Sequence, residues 1–272
     1  AVMEDAQGIG LSSYQGGHVE YFKYMVDLLA QRGRSDIKVF GGGGGVIVQA
    51  EIDELHAYGV AKIFSPDDGR EMGLEGMIAR MIRACDRDPA TQCEEALAHF
   101  ESWLDGGDPI APQHLARLLS LVEAETGGEQ RSQLLARVER AAADAGRGDL
   151  GSDGFVPVVG FTGTGGSGKS SLVDEFCARF LEAFPDRRVA VISVDPSRRR
   201  TGGALLGDRI RMNSLGRHAG VEKPPLFVRS QATRQSHRAT SAALADGVAL
   251  LRVSGFDLVL VETAGIGQSD SE

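Results

Sequence analysis

A glycine-rich loop between a predicted strand and a predicted helix constrains the fold of this chain more than any other feature. Residues 163–170 read Gly-Thr-Gly-Gly-Ser-Gly-Lys-Ser, which fits the spacing G-x-x-x-x-G-K-[ST] at every fixed position. An apolar run over 156–161 precedes the loop, and a helical pattern over 170–184 follows it. Strand, loop and helix in this order form the phosphate-binding loop of nucleotide triphosphatases, so the pattern predicts an α/β domain with a parallel sheet.

The residue types in the loop suit a triphosphate. Glycines allow backbone N–H groups to turn towards phosphate oxygens, and the positive end of the following helix adds to the attraction. We expect Lys169 to reach the β- and γ-phosphates and the Ser170 hydroxyl to ligate Mg²⁺. A glycine-rich turn that contains Lys-Ser by chance is the alternative. The residues predicted to bind nucleotide are Gly163, Thr164, Gly165, Gly166, Ser167, Gly168, Lys169, Ser170 and Ser171.

An acidic residue at the end of a second apolar run predicts the other half of the same site. The predicted strand over 258–261 ends at Glu262, where proteins with a phosphate-binding loop hold Mg²⁺ directly or through water. The four residues from Glu262 to Gly265 resemble the D-x-x-G switch of GTPases, with Glu in place of Asp. In such a switch the amide of Gly265 contacts the γ-phosphate.

Two further acids and several arginines lie between these motifs. Asp195 follows the predicted strand over 188–193 and Asp208 comes later, so both could face the metal. Arg211 and the run 198–200 could offset triphosphate charge or supply an arginine finger. A solvated basic loop is the alternative.

The chain divides into three parts by pattern. Residues 1–84 alternate strands (9–11, 37–40, 60–64) with helices (18–31, 49–58, 74–84), which predicts part of a doubly wound parallel α/β domain, with residues 1–7 as the end of a helix. Residues 85–152 have only helical periodicity, over 96–104, 115–122 and 129–143, and are predicted to form a helical linker. Residues 153–272 form the domain with the phosphate loop. Both α/β domains are expected to be incomplete in this chain.

Composition limits the partners. The formal net charge of −9 argues against a nucleic-acid-binding protein, which usually has a basic face. Three cysteines, Cys85, Cys93 and Cys177, are too few and scattered for a disulfide framework. The sequence has no apolar run near the roughly 18 residues of a membrane span and no secretory signal at its first residue, so the expected location is cytoplasmic and no membrane contact is expected.

The motifs of residues 155–272 together resemble the GTPase chaperones of adenosylcobalamin-dependent acyl-CoA mutases. The resemblance covers the phosphate loop, Val194-Asp-Pro-Ser197, residues 201–212 (Thr-Gly-Gly-Ala-Leu-Leu-Gly-Asp-Arg-Ile-Arg-Met) and Glu262-Thr-Ala-Gly-Ile-Gly-Gln268. It implies that Asp195, Asp208 and Glu262 surround Mg²⁺ together with Ser170. It also implies that Arg211 lies in a switch and supports hydrolysis beside Lys169 and Glu262.

The N-terminal segment resembles cobalamin-binding domains of the flavodoxin-like type. The resemblance rests on residues 11–18 (Leu-Ser-Ser-Tyr-Gln-Gly-Gly-His), the five glycines of 41–45 and Phe64-Ser65-Pro66. In that family such residues line a pocket for the cofactor's nucleotide tail. Tyr14 replaces the usual leucine, and His18 is not the cobalt-ligating histidine, whose D-x-H-x-x-G loop is not in this chain. The residues implied to contact the cofactor are Ser12, Tyr14, Gly41, Gly42, Gly43, Phe64 and Ser65.

A cobalamin domain, a linker and a GTPase in this order resemble the fused isobutyryl-CoA mutase family. The resemblance implies the cofactors adenosylcobalamin, GTP and Mg²⁺, a homodimeric parent, and an acyl-CoA substrate bound by a mutase barrel outside this chain. GTP hydrolysis would gate cobalamin loading while the parent interconverts isobutyryl-CoA and n-butyryl-CoA. Two alternatives stay open: a metal-insertion or regulatory GTPase with an unrelated flavodoxin-like module, and a small-molecule kinase.

Overall fold

A computed structural model describes residues 1–13, 16–42, 45–87, 93–124, 128–144, 155–196, 212–218, 221, 224–233 and 237–263. The chain forms two compact units, Ala1–Asp88 and Pro89–Glu272. Both are α/β structures built on parallel sheets, as the sequence predicts. Among the described residues, no helix combines the length and the apolar character that crossing a membrane requires.

The first unit is a three-stranded parallel sheet with helices between the strands. Its strand order is β1-β2-β3. After a short 3-10 helix, Val2–Glu4, its elements are β1 (Gly8–Ser12), α1 (His18–Gln31), β2 (Lys38–Gly42), α2 (Gln49–Tyr58), β3 (Lys62–Phe64) and α3 (Pro66–Cys85). The prediction began the last helix at residue 74. It begins at Pro66 because Ser65 and Asp68 form a capping box, and Gly73, with φ +65°, interrupts it at the predicted start.

The two faces of this sheet differ in how tightly they are packed. Ile9, Val39 and Ile63 face α1 and α2 and form a continuous apolar core with Phe22 and Leu55. On the other face lies α3, which contains no buried residue. The side chains of Leu74, Ile78 and Ile82 on α3 are 69%, 46% and 63% exposed, so the α3 side of the sheet is only loosely covered.

Four alternating charges fasten the start of the first unit to its end. Arg34 is fully buried and pairs with Asp5 at 3.0 Å and with Asp36 at 2.8 Å. Arg87, after α3, pairs with the same two carboxylates at 2.6 and 2.8 Å. Residues 1–7 were predicted to end a helix, and instead this network holds a single 3-10 turn against the sheet.

The second unit is a four-stranded parallel sheet with the order β4-β7-β5-β6. Three helices come first: α4 (Glu94–Leu104), α5 (Pro112–Glu123) and α6 (Gly128–Asp144). The sheet region contains β4 (Val158–Phe161), α7 (Lys169–Ala183), β5 (Val189–Pro196), α8 (Asn213–Arg217), β6 (Leu226–Thr233), α9 (His237–Val253) and β7 (Leu258–Glu262).

The helices α4 to α6 were predicted as a linker over 85–152, and in the structure they belong to the second unit and pack against its sheet region. Arg229 on β6 donates two hydrogen bonds of 3.0 Å to Glu123 at the end of α5. Arg131 on α6 reaches Asp246 on α9 at 2.7 Å. The Trp103 indole N–H donates to the carbonyl of Val253 at 2.7 Å. These contacts make the helical segment part of the layer that covers one side of this sheet.

Three elements of this unit were not predicted from the sequence: β6, α8 and α9. Arg229 and Gln231 interrupt the apolar pattern of β6, yet both are buried, at 5% and 6% exposure. The Arg229 guanidinium is satisfied by Ser120 and Glu123 on α5. Because the paired Arg229 and the buried Gln231 are polar, the strand lacks the apolar pattern by which strands are recognised.

Candidate functional site

The glycine loop lies between the carboxyl end of β4 and the amino end of α7, as its sequence position predicts. Gly166 and Gly168 have φ values of +77° and +84°, which other residues adopt only with strain. Gly168 is the N-cap of α7, so the first amides of that helix open towards the loop. The residues 163–171 are therefore arranged as a cradle of backbone donors at a helix terminus, which suits a phosphate group.

The Lys169 side chain folds back over this loop. Its Nζ donates to the carbonyl oxygens of Gly163 at 3.1 Å and Thr164 at 2.9 Å. The ammonium group is thus held beside the loop amides, where the charge of a bound phosphate would be partly neutralised.

A short hydrogen bond joins the loop to the end of β7. The Ser170 hydroxyl donates to Glu262 Oε1 at 2.5 Å, and the Glu262 side chain is only 7% exposed. The register pairs Phe161 of β4 and Ser193 of β5 with Glu262, so this carboxylate has a strand on each side. Ser193 Oγ lies 3.5 Å from Glu262 Oε2. Ser193 was not predicted as a site residue, because a lone serine within an apolar strand carries no motif.

The remaining predicted residues of this site fall at its edge or outside the described residues. Asp195 continues β5 two residues beyond Ser193, at the same carboxyl edge of the sheet as Glu262. Asp208, Arg211 and Gly265 lie outside the residues that the structure describes, as do Tyr14 and Gly43 of the first unit. The structure thus brings Ser170 and Glu262 together, and the roles of the others stay predictions.

One acid of α7 was missed by the motif analysis. The Asp174 carboxylate accepts hydrogen bonds from the backbone N–H of Asn213 and of Ser214, both at 2.9 Å, and from the Ser214 hydroxyl at 2.5 Å. Burial alone would raise the pKa of the Asp174 carboxyl, but the bonds from Ser214 and Asn213 outweigh it and hold that pKa below its ordinary value. Asp174 thereby fastens the start of α8 to the helix that follows the phosphate loop.

The first unit contains a cleft of about 670 Å³ between its sheet and α3. Since side chains alternate along a strand, Gly10, Ser12, Phe40, Gly42 and Phe64 share the face turned towards α3. The sheet forms the floor of the cleft, and no side chains rise from it where the glycines lie. The opposite wall, formed by α3, is apolar. The wall residues from α3 are Leu74, Met77, Ile78 and Met81.

The glycines that were predicted to line this cleft do not all leave space within it. We expected every glycine of the run to leave room for a ligand. A Cβ on Gly41 would instead come within 2.2 Å of Phe22 Cζ and 2.8 Å of Ile63 Cδ1, in the core on the other face. A Cβ on Gly42 would meet nothing closer than the Phe64 carbonyl at 3.4 Å. Both glycines line the cleft, but a side chain on Gly41 would enter the core, whereas a side chain on Gly42 would enter the cleft.

The Ser65 hydroxyl is already hydrogen-bonded to Asp68, three residues further on. Its hydroxyl donates to Asp68 Oδ2 at 2.9 Å and accepts from the Asp68 N–H at 3.2 Å, which caps α3. Burial would raise the pKa of the Asp68 carboxyl, but the bonds from Ser65 and the Lys62 ammonium at 3.0 Å hold that pKa below its ordinary value. Ser65 lines the cleft mouth mainly as a helix cap.

His18 lies at the first position of α1 and is buried, with 7% exposure. Its Nε2 is 3.0 Å from Glu51 Oε2, and that carboxylate also accepts the N–H of Val48. These hydrogen bonds, led by the one from Val48, hold the pKa of Glu51 below its ordinary value. His18 therefore links α1 to α2.

Known proteins resemble this chain both over residues 115–272 and over its whole length. Residues 115–272, from α5 onwards, match the family described as methylmalonyl Co-A mutase-associated GTPase MeaB. The whole chain is 49% identical to the fused isobutyryl-CoA mutase of Geobacillus kaustophilus and 48% identical to that of Cupriavidus metallidurans. It spans 23% of the length of each. A probable GTPase of Mycobacterium bovis is 37% identical over 167 residues, which are 61% of this chain and 44% of that protein.

Proposed function

Because the chain belongs to the MeaB family of methylmalonyl-CoA mutase-associated GTPases, we propose that it is the cobalamin-binding and GTPase segment of a fused isobutyryl-CoA mutase. In this proposal the second unit binds and hydrolyses GTP with Mg²⁺, and the first unit holds part of adenosylcobalamin. The similarity of the whole chain to two fused mutases supports the combination of both units in one protein.

The observation that carries the GTPase proposal is the 2.5 Å hydrogen bond between Ser170 and Glu262. Two oxygen ligands at the edge of a phosphate cradle are what a small hard cation such as Mg²⁺ selects. The Ser170 hydroxyl donates its proton into the space between these two oxygens. With nucleotide and Mg²⁺ present, we expect the Ser170 oxygen to turn its lone pair to the ion and Glu262 to bind the ion or one of its waters.

The residues of the chain have separate tasks in hydrolysis. The loop amides and the amino end of α7 orient the β- and γ-phosphates, and Lys169 exchanges its carbonyl partners for phosphate oxygens. Asp195, at the end of β5, is proposed to hold a water of the metal shell. Asp208, Arg211 and Gly265 are proposed to complete the site, with Arg211 stabilising charge in the transition state.

The α3 cleft supports the cobalamin proposal. An apolar wall facing a glycine floor suits a flat heterocycle with a polar linker, which is the chemistry of a cobalamin nucleotide tail. Gly42 and Ser12 are on the floor, and Phe64 closes the third strand. The bound cofactor would supply the radical chemistry of a carbon-skeleton rearrangement, and these residues would only bind and orient it.

The proposal for the whole protein follows from its relatives. GTP hydrolysis gates loading of the cofactor, and a mutase barrel elsewhere in the protein interconverts isobutyryl-CoA and n-butyryl-CoA. The parent is proposed to be a homodimer.

Hydrolysis by the full-length protein tests the first half of this proposal. We expect Mg²⁺-dependent release of phosphate from GTP in preference to ATP, measured side by side. We expect Glu262→Gln to require a higher Mg²⁺ concentration for half-maximal rate, while Glu182→Gln, on the exposed end of the same α7, leaves it unchanged. Transfer of phosphate to a small molecule without GTP hydrolysis would instead indicate a kinase.

Absorbance spectroscopy tests the second half. Adenosylcobalamin added to the full-length protein should show a shifted spectrum on binding. Replacing Gly42 with leucine should abolish the shift, because the new side chain fills the cleft. An unchanged spectrum with the unmodified protein would refute the cobalamin proposal and leave the GTPase proposal standing.

A further inference from the structure

Two imidazoles and a carboxylate meet between α4 and α5 of the second unit. Glu95 and His99 lie four residues apart on α4, and His114 is in the first turn of α5. One ligand atom from each, a carboxylate oxygen and two ring nitrogens, all lie within 4.8 Å of one another. None of the three belongs to a sequence motif of the nucleotide or cofactor sites.

The helices explain why these side chains converge. Residues four apart on a helix project from the same face, so Glu95 and His99 form one edge of the group. His114 comes from the neighbouring helix and is buried at 6% exposure, whereas the other two are exposed. The group therefore has a fixed inner ligand and two outer ligands that are free to adjust.

The two rings already touch across the helix–helix contact. The His99 and His114 ring centroids are 4.0 Å apart, and the ring planes are 23° from parallel. Ligands of a tetrahedral zinc ion lie about 3.3–3.5 Å apart, because zinc–ligand bonds are about 2.0–2.2 Å long. Ring rotation and a shift of about an ångström would bring all three atoms to one ion, and most of it can come from exposed His99 and Glu95.

One basic side chain lies beside the carboxylate of the group. Arg117 Nη1 lies 3.6 Å from Glu95 Oε2. Glu95 is 67% exposed, so this ion pair is weak and easily exchanged. A divalent ion would take over the carboxylate and release Arg117 to another partner.

We propose that Glu95, His99 and His114 form a binding site for a divalent transition metal such as Zn²⁺, with a fourth position left to water. Neutral imidazole with a carboxylate is a zinc ligand set, whereas Mg²⁺ and Ca²⁺ prefer oxygen ligands alone. The ion joins α4 to α5 and stiffens the helical layer that packs on the second unit. This site is independent of the proposed GTPase and mutase functions.

Zinc titration of the metal-stripped, nucleotide-free full-length protein tests the proposal. Zn²⁺ is added in competition with a chromophoric chelator, and the number of bound ions and their affinities are compared between variants. We expect the His99→Ala protein to bind one ion fewer than the unmodified protein. We expect Glu95→Gln to lower the affinity for that ion by about tenfold or more, since even changes to residues that only support the metal ligands lower affinity by about 10–100-fold.

Controls separate this ion from others in the protein. His218→Ala changes a histidine outside the cluster and should leave the stoichiometry unchanged. Glu262→Gln, at the proposed Mg²⁺ site, should leave it unchanged too. Because His99 and Glu95 are exposed, both variants should fold normally, which far-ultraviolet circular dichroism checks. Equal zinc stoichiometry and affinity in unmodified and His99→Ala proteins would overturn the proposal.

Discussion

The phosphate loop of the second unit and the α3 cleft of the first are built in opposite ways. The loop is defined by directed polar contacts, such as Ser170 with Glu262 at 2.5 Å and Lys169 with two carbonyl oxygens. The cleft is defined by missing side chains and by a helix that buries none of its residues. The phosphate loop therefore depends on specific polar contacts, whereas the cleft depends on the space left between the sheet and α3.

This difference decides how each site responds to change. Removing one polar partner from the loop leaves charges without their counterparts, which affects chemistry strongly. Added atoms in the cleft weaken cofactor binding by steric overlap with the cofactor. Added atoms on the opposite face of the same strand lower the stability of the fold. Four variants can break or sharpen this comparison.

Lys169→Ala should have the largest effect. Loss of the ammonium group removes charge compensation at the phosphates and should lower the GTP hydrolysis rate by about 100-fold or more. Phosphate release measures the rate, with Lys38→Ala, an exposed lysine of the first unit, as the control. The cobalamin spectrum should be unchanged. Equal loss of cofactor binding would show that the two sites are not separate.

Gly41→Ala should destabilise the first unit. The added methyl would overlap Phe22, where the Cβ position is 2.2 Å from Cζ, and overpacking typically costs about 1–3 kcal/mol. Denaturant unfolding measures the loss. Gly42→Ala, one residue on, meets its nearest atom at 3.4 Å and should leave stability nearly unchanged. If the two variants were equally stable, the assignment of opposite roles to these glycines would be wrong.

Asp174→Ala should destabilise the second unit by about 1–3 kcal/mol, because Asn213 and Ser214 lose their shared acceptor. The cost should depend on pH. The folded pKa of Asp174 lies below the ordinary value of 3.8, so its stabilisation is present above that pH and is lost as pH falls through the folded pKa. Unfolding curves of both proteins should therefore converge in acid. A constant difference at all pH values would contradict this explanation.

Ser65→Ala should have the smallest effect, about 1 kcal/mol from the lost cap of α3. Cobalamin should still bind with little change, since the hydroxyl is already committed to Asp68. Thermal unfolding and the absorbance titration give the two readings. Strong loss of cofactor binding with unchanged stability would mean that Ser65 contacts the cofactor as the sequence resemblance implied.

The sequence predicted the parallel sheets, the position of the phosphate loop and the convergence of Ser170 with Glu262, because these depend on short motifs at fixed spacing. It did not predict Ser193 or Asp174, which act through partners distant in the chain. It did not predict that a side chain on Gly41 would enter the core, since this depends on the pairing of Gly41 with Ile63 across the sheet. The strand β6 was not predicted, because Arg229 interrupts its apolar pattern and the partner of Arg229, Glu123, is 106 residues away.

The folded-back position of Lys169 has an energetic consequence for nucleotide capture. A flexible lysine on the surface loses conformational freedom when it grips a ligand, and that loss weakens binding. Here the side chain is already confined by the carbonyl oxygens of Gly163 and Thr164, so its ordering takes place when the protein folds. Binding then becomes an exchange of acceptors by a preorganised cation, with little further entropy to lose.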